Sequence, residues 1–61
     1  MEIGTRIYFK DNGITFTFTK IRDDGYYLFQ SDKDGKFAAW SPAQIGQMKS
    51  NPRIRWYGPA A

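Results

Sequence analysis

The chain contains no cysteine and no histidine. The first absence excludes disulfides, thiolate catalysis and cysteine-based zinc sites; the second removes the commonest metal ligand and the one side chain that titrates unaided near neutrality. No apolar run approaches the roughly 20 residues of a membrane-spanning helix, and Met1-Glu2 opens no signal peptide. The expectation is therefore a cytoplasmic protein with no membrane segment, no metal site and no cofactor. Its 61 residues suit one domain, placed at 1–58, with 59–61 as a flexible C-terminal tail. A domain of about 60 residues buries only about 60% of its unfolded surface, so its stability is marginal.

Catalytic patterns are missing too. The paired carboxylates Asp23-Asp24 and Asp32/Asp34 fall on tight turns, where they are expected to be solvated rather than tuned for catalysis. Asp32-Lys33-Asp34-Gly35 lacks the later acidic ligand of a calcium loop, and the glycines sit singly rather than in a phosphate-binding loop. Ser41 is accounted for as a helix cap. A non-enzymatic protein is expected, with no catalytic residues.

What is present is turn chemistry. Asp11-Asn12-Gly13, Asp23-Asp24-Gly25 and Asp34-Gly35 separate segments rich in β-branched and aromatic residues. Asn-Gly and Asp-Gly are strong hairpin signals, because tight hairpin turns need residues that tolerate positive φ. The predicted strands are Ile3–Lys10, Ile14–Arg22, Tyr26–Ser31, Lys36–Trp40 and Arg53–Tyr57. Between the last two, Ser41-Pro42 provides an N-cap and a first-turn proline, and Ile45 and Met48 follow at helical spacing. One or two helical turns are expected there, ended by Asn51-Pro52.

Alternation sets the faces. A two-residue loop at Asn12-Gly13 places Phe9 opposite Phe16 and Ile7 opposite Phe18, all on one side. A three-residue loop at Asp23-Asp24-Gly25 places Lys20 opposite Leu28, and the third turn sets Phe37 and Ala39 beside Leu28. The expected core is Ile3, Ile7, Phe9, Phe16, Phe18, Leu28, Phe37, Ala39, Ile45, Met48, Ile54 and Trp56. A flat sheet of five short strands does not cover so many large side chains, so the sheet must curl.

In this element order, over Ile3–Tyr57, the chain resembles the SH3-like small β-barrel: all-β, five antiparallel strands, one short helical turn between strands four and five. An OB-like barrel is the alternative, with longer strands and loops. The resemblance implies that strand five lies beside strand one. The superfold hosts many functions and specifies none.

Charge and the outward-facing residues carry the functional expectation. Residues 1–48 hold six bases and six acids, so the net +3 resides wholly in Lys49, Arg53 and Arg55. With strand five beside strand one, Arg6, Tyr8, Lys10, Arg53, Arg55 and Tyr57 form a basic and aromatic face. Rings that stack bases, interleaved with cations that hold phosphates, suit single-stranded nucleic acid. A second, apolar face is expected from Ile21, Tyr27, Phe29, Ala38 and Trp40. Its readings are a rim of the core, a homo-oligomer interface, or the docking site of a protein partner, with Trp40 as anchor. The leading expectation is a nucleic-acid-binding module. The alternative is a protein–protein interaction module, either an adaptor or a phage- or plasmid-encoded inhibitor of a host protein.

Overall fold

A computed structural model describes residues 1–58; the expected tail, 59–61, lies outside them. The elements are β1 (Arg6–Phe9), β2 (Ile14–Ile21), β3 (Tyr27–Ser31), β4 (Phe37–Trp40), α1 (Pro42–Lys49) and β5 (Ile54–Tyr57). The strands form one antiparallel sheet in the order β4-β3-β2-β1-β5. Five strands with a helix before the last are as expected, and so is the pairing of β5 with β1. Closure into a barrel is not found: β4 and β5 remain the two edges of the sheet.

Each loop is tied by one local device. The side-chain oxygens of Asn12, Asp24, Asp34 and Asn51 accept from the backbone N–H groups of Ile14, Tyr26, Lys36 and Arg53 at 3.0, 3.1, 3.0 and 2.9 Å. These are the short polar side chains that stabilise turns by bonding their own backbone two residues on. The second loop adopts the three-residue form expected, with Arg22 N–H donating to the Tyr26 carbonyl at 2.7 Å and Gly25 at φ 86°. A Cβ added at Gly25 would meet no atom within 4 Å, so the penalty there is chiefly backbone strain. Gly25→Val should cost about 1–3 kcal/mol, read as a lower denaturation midpoint. An unchanged midpoint would show that this turn does not need its left-handed residue.

The first loop is longer than expected. Phe9 pairs with Ile14 and Ile7 with Phe16, leaving Lys10–Gly13 as a four-residue loop. The Gly13 N–H closes it onto the Phe9 carbonyl at 2.8 Å. A shift of two residues preserves the faces, so Ile7, Phe9 and Phe16 still point inward. Neighbours change, however: Thr15 rather than Thr17 lies opposite Tyr8.

The largest departure is a β-bulge at Thr19. From the second turn, Ile21 pairs with Tyr27 and Lys20 with Leu28; beyond Thr19, Phe18 pairs with Phe29 and Phe16 with Ser31. Thr19 is the extra residue, and its hydroxyl donates to the Leu28 carbonyl at 3.0 Å. One inserted residue inverts which side chains of β3 and β4 face the core. Phe29, expected outside, has no exposed surface, while Phe37, expected in the core, is 60% exposed. Leu28 and Ala39 likewise move to the outer face, half-buried, and Tyr27 and Trp40 pack inward. The bulge thus exchanges Leu28, Ala39 and Phe37 for three large aromatic residues, which bury more apolar surface.

The core consists of Ile7, Phe18, Phe29 and Ile45, with Phe9, Phe16, Tyr27, Trp40, Met48, Ile54 and Trp56 packed around it. Helix α1 covers its inner side. The Ser41 hydroxyl accepts from Gln44 N–H at 3.2 Å, and the Gln44 side chain returns the bond to Ser41 N–H at 2.9 Å. This reciprocal capping box explains why a short segment makes a full α-helix. At the other end Trp56 donates its indole N–H to the Met48 carbonyl at 3.5 Å. Ile3 is excluded from the core: a turn over Glu2–Thr5, with Gly4 at φ 92°, diverts the chain before β1 and leaves Ile3 70% exposed.

Candidate functional site

The antiparallel register of β1 and β5 builds the outer face in rows. Arg6 lies opposite Tyr57, and Tyr8 opposite Arg55. The ladder continues through Lys10, whose N–H donates to the Arg53 carbonyl at 3.0 Å. Each ring is therefore adjacent to a guanidinium across the strands and to a second base along its own strand. The Arg6 guanidinium carbon stands 5.9 Å from the centre of the Tyr57 ring, within cation–π range. Thr17 and Thr15 of β2 extend the face beside Arg6 and Tyr8. All six sequence-predicted residues of this group are thus brought together along one pair of strands.

Their charges are not equivalent. Arg53 pairs with Asp11 at 3.0 Å, with both side chains well exposed, so the contact is weak and easily exchanged. Arg6, Lys10 and Arg55 make no salt bridge among the described residues. Asp32, at the β2 side, accepts from the Thr17 hydroxyl at 3.2 Å and limits the basic region in that direction. The result is a stripe along β1 and β5 rather than a uniformly basic sheet.

The apolar group does not form. Phe29 is enclosed, Tyr27 stacks on Phe18 with ring centres 5.5 Å apart, and Trp40 sits 5.0, 5.2 and 5.9 Å from Phe29, Phe16 and Phe9. Of Ile21, Tyr27, Phe29 and Trp40, only Ile21 is an exposed side chain, 56% open at the end of β2. The cause is the bulge, which alternation along β2 does not reveal.

The turn carboxylates serve the fold. Asp34 is held below the usual carboxylate range, chiefly by the Lys36 backbone N–H it accepts, with the Ser31 hydroxyl and the Lys36 charge assisting. Arg22 bridges to Asp24 at 2.9 Å and lies over the Tyr26 ring. No cluster of three or more potential metal ligands occurs among the described residues, and no helix there is long and apolar enough to cross a membrane.

The structure also holds a concave feature that the sequence does not announce. Between α1 and the aromatic cluster lies a cleft of about 290 Å³, lined by Phe9, Trp40, Gln44, Gln47, Met48 and Asn51. The Ser41-x-x-Gln44 spacing is the one sequence signal that bears on it, because it fixes where α1 starts. Comparison of the chain with protein-family models, curated proteins and solved structures finds no match.

Proposed function

We propose that the protein is a binding module for single-stranded nucleic acid and that the β1/β5 stripe is its contact surface. The observation that carries this reading is the register: Arg6 with Tyr57, then Tyr8 with Arg55. Successive residues on one face of a strand are spaced by two positions, roughly 6.6–6.8 Å, a repeat that a flexible strand of bases can follow. Rings offer stacking surfaces to any base, and the flanking guanidinium groups hold the phosphates between them. Such a surface binds without strong sequence preference. The strand order and the helix before β5 also support reading the fold as an SH3-like architecture, here with its sheet left open. The competing module for a protein partner or a second copy depended on an apolar face that includes Phe29, and that ring is enclosed.

The test is a titration of a labelled single strand at rising salt. Arg6→Ala and Arg55→Ala should each reduce the log–log salt slope by about 0.7, one phosphate contact apiece. Arg53→Ala should do the same, because its exposed pairing with Asp11 is easily exchanged for a phosphate. Tyr8→Ala should weaken binding with the slope unchanged, by an amount in the range of about 1–3 kcal/mol for a lost stacking platform. Absence of binding to any single strand or duplex at ~0.15 M salt, where nonspecific affinity is ordinarily measurable, would overturn the proposal.

A further inference from the structure

The cleft beside α1 has a lining unlike the stripe. None of its six residues is charged, so it offers no counter-charge to a phosphate, a carboxylate or a metal ion. Two of its three amides are fixed in orientation. The Gln44 oxygen accepts from Ser41 N–H and the Asn51 oxygen from Arg53 N–H, each at 2.9 Å. A backbone N–H bonds the amide oxygen and never the NH₂, so both side chains keep their NH₂ donors for another partner. Gln47 adds a third amide, which makes no side-chain hydrogen bond among those found in the described residues. Trp40 and Phe9 supply ring walls and Met48 a polarizable edge.

A flat apolar wall rimmed by neutral amides suits a planar heterocycle bearing carbonyl and ring-nitrogen acceptors. The volume lies at the lower end of small-ligand sites, roughly 300–1,000 Å³. It suits one ring system better than an extended peptide. We infer that this cleft receives a single unstacked nucleobase, stacked on Trp40 and read along its edge by the amides of Gln44, Gln47 and Asn51.

Its position favours a base from the strand already placed on the stripe, and the inference rests on that reading. Phe9 directly precedes Lys10, and Asn51 is bonded to the Arg53 backbone. Lys10 and Arg53 therefore stand at the end of the stripe nearest the cleft, where the phosphate of the inserted nucleotide would pass. A strand following Tyr57, Tyr8 and Lys10 reaches the end of the sheet and turns its last base inward.

The experiment follows the side-chain NH₂ signals of Gln44, Gln47 and Asn51 and the Trp40 indole N–H by NMR. The probes are the four free nucleosides and, separately, a single-stranded oligonucleotide. Asn51→Ser retains an oxygen for the Arg53 N–H, and Gln47→Ala removes an amide the fold does not use, so both variants should stay folded. The oligonucleotide should move all four signals, and each variant should weaken its affinity roughly three- to tenfold, the loss of about one hydrogen bond. Nucleosides that move the same signals would show that the base alone is recognised. Silent nucleosides with a responsive oligonucleotide would show that the adjoining phosphate is required; either supports the cleft. An oligonucleotide whose binding depends on Arg55 but leaves the cleft signals and both variants unaffected would overturn the cleft while leaving the stripe intact. No response to any nucleoside or oligonucleotide would overturn both.

Discussion

Phe29→Ala should leave the domain largely unfolded at room temperature. The ring has no exposed surface and packs 5.4 Å from Phe18 and 5.0 Å from Trp40, centre to centre. Truncating a buried phenylalanine costs about 3–5 kcal/mol, lost transfer energy and cavity together. A chain of this length has a total stability of roughly 3–9 kcal/mol at the usual 0.05–0.15 per residue. The control lies on the adjacent strand. Phe37→Ala makes the same chemical change at a side chain 60% exposed on the opposite face, and should cost less than about 1 kcal/mol. Circular dichroism melts of the pair measure the bulge directly. Were Phe37→Ala the damaging change and Phe29→Ala the silent one, the faces of β3 would be assigned backwards.

Trp40→Ala should cost about 3 kcal/mol, the lower end of the range for a large aromatic residue, with no change in the state of assembly. Three ring contacts tie the indole to Phe9, Phe16 and Phe29, yet it stays partly open where it borders the cleft. Its loss removes the wall that joins β4 to the core and unseats the N-cap of α1, Ser41, one residue later. Denaturant melts beside light scattering separate this from an interface role. Near-parental stability combined with a change in assembly would show that Trp40 is an interaction anchor and not a structural residue.

The two halves of the sheet were unequally legible in the sequence. Each hairpin turn and the turn before β5 carried its own chemistry in an Asx-Gly or Asn-Pro pair, so element order, the helix and its cap could be read from local residues. The faces of β1, of β2 as far as Phe18, and of β5 followed from alternation, and an error of two residues in the first loop left them unchanged because the side-chain period is two. That parity is why Arg6, Tyr8, Arg55 and Tyr57 group together from the sequence alone. β3 and β4 failed for the complementary reason. A bulge is a shift of one, and Thr19 stands in the regular series Thr15, Thr17, Thr19 with nothing local to mark it. Only the comparison of what each face would bury favours it: Tyr27, Phe29 and Trp40 outweigh Leu28, Phe37 and Ala39. The cleft was illegible on different grounds. Its lining comes from β1, β4, α1 and the turn before β5, and no spacing within one element encodes that meeting.

The pairing of β1 with β5 also has a kinetic side. Neighbouring strands from β1 to β4 are joined by hairpins and can associate as soon as each turn closes. β1 and β5 lie at opposite ends of the described chain, and joining them requires closing nearly the whole of it, a slower event with a larger entropic cost. The stripe is split across that one seam, with Arg6 and Tyr8 on the early side and Arg55 and Tyr57 on the late side. A chain that has formed its hairpins but not docked β5 holds two isolated residues in place of a surface. Local opening at the same seam would dissolve the alternation while leaving most of the sheet in place. On loop-closure grounds the surface is expected to assemble after the hairpins, and any strand bound across the seam would act as a staple between the two ends of the fold.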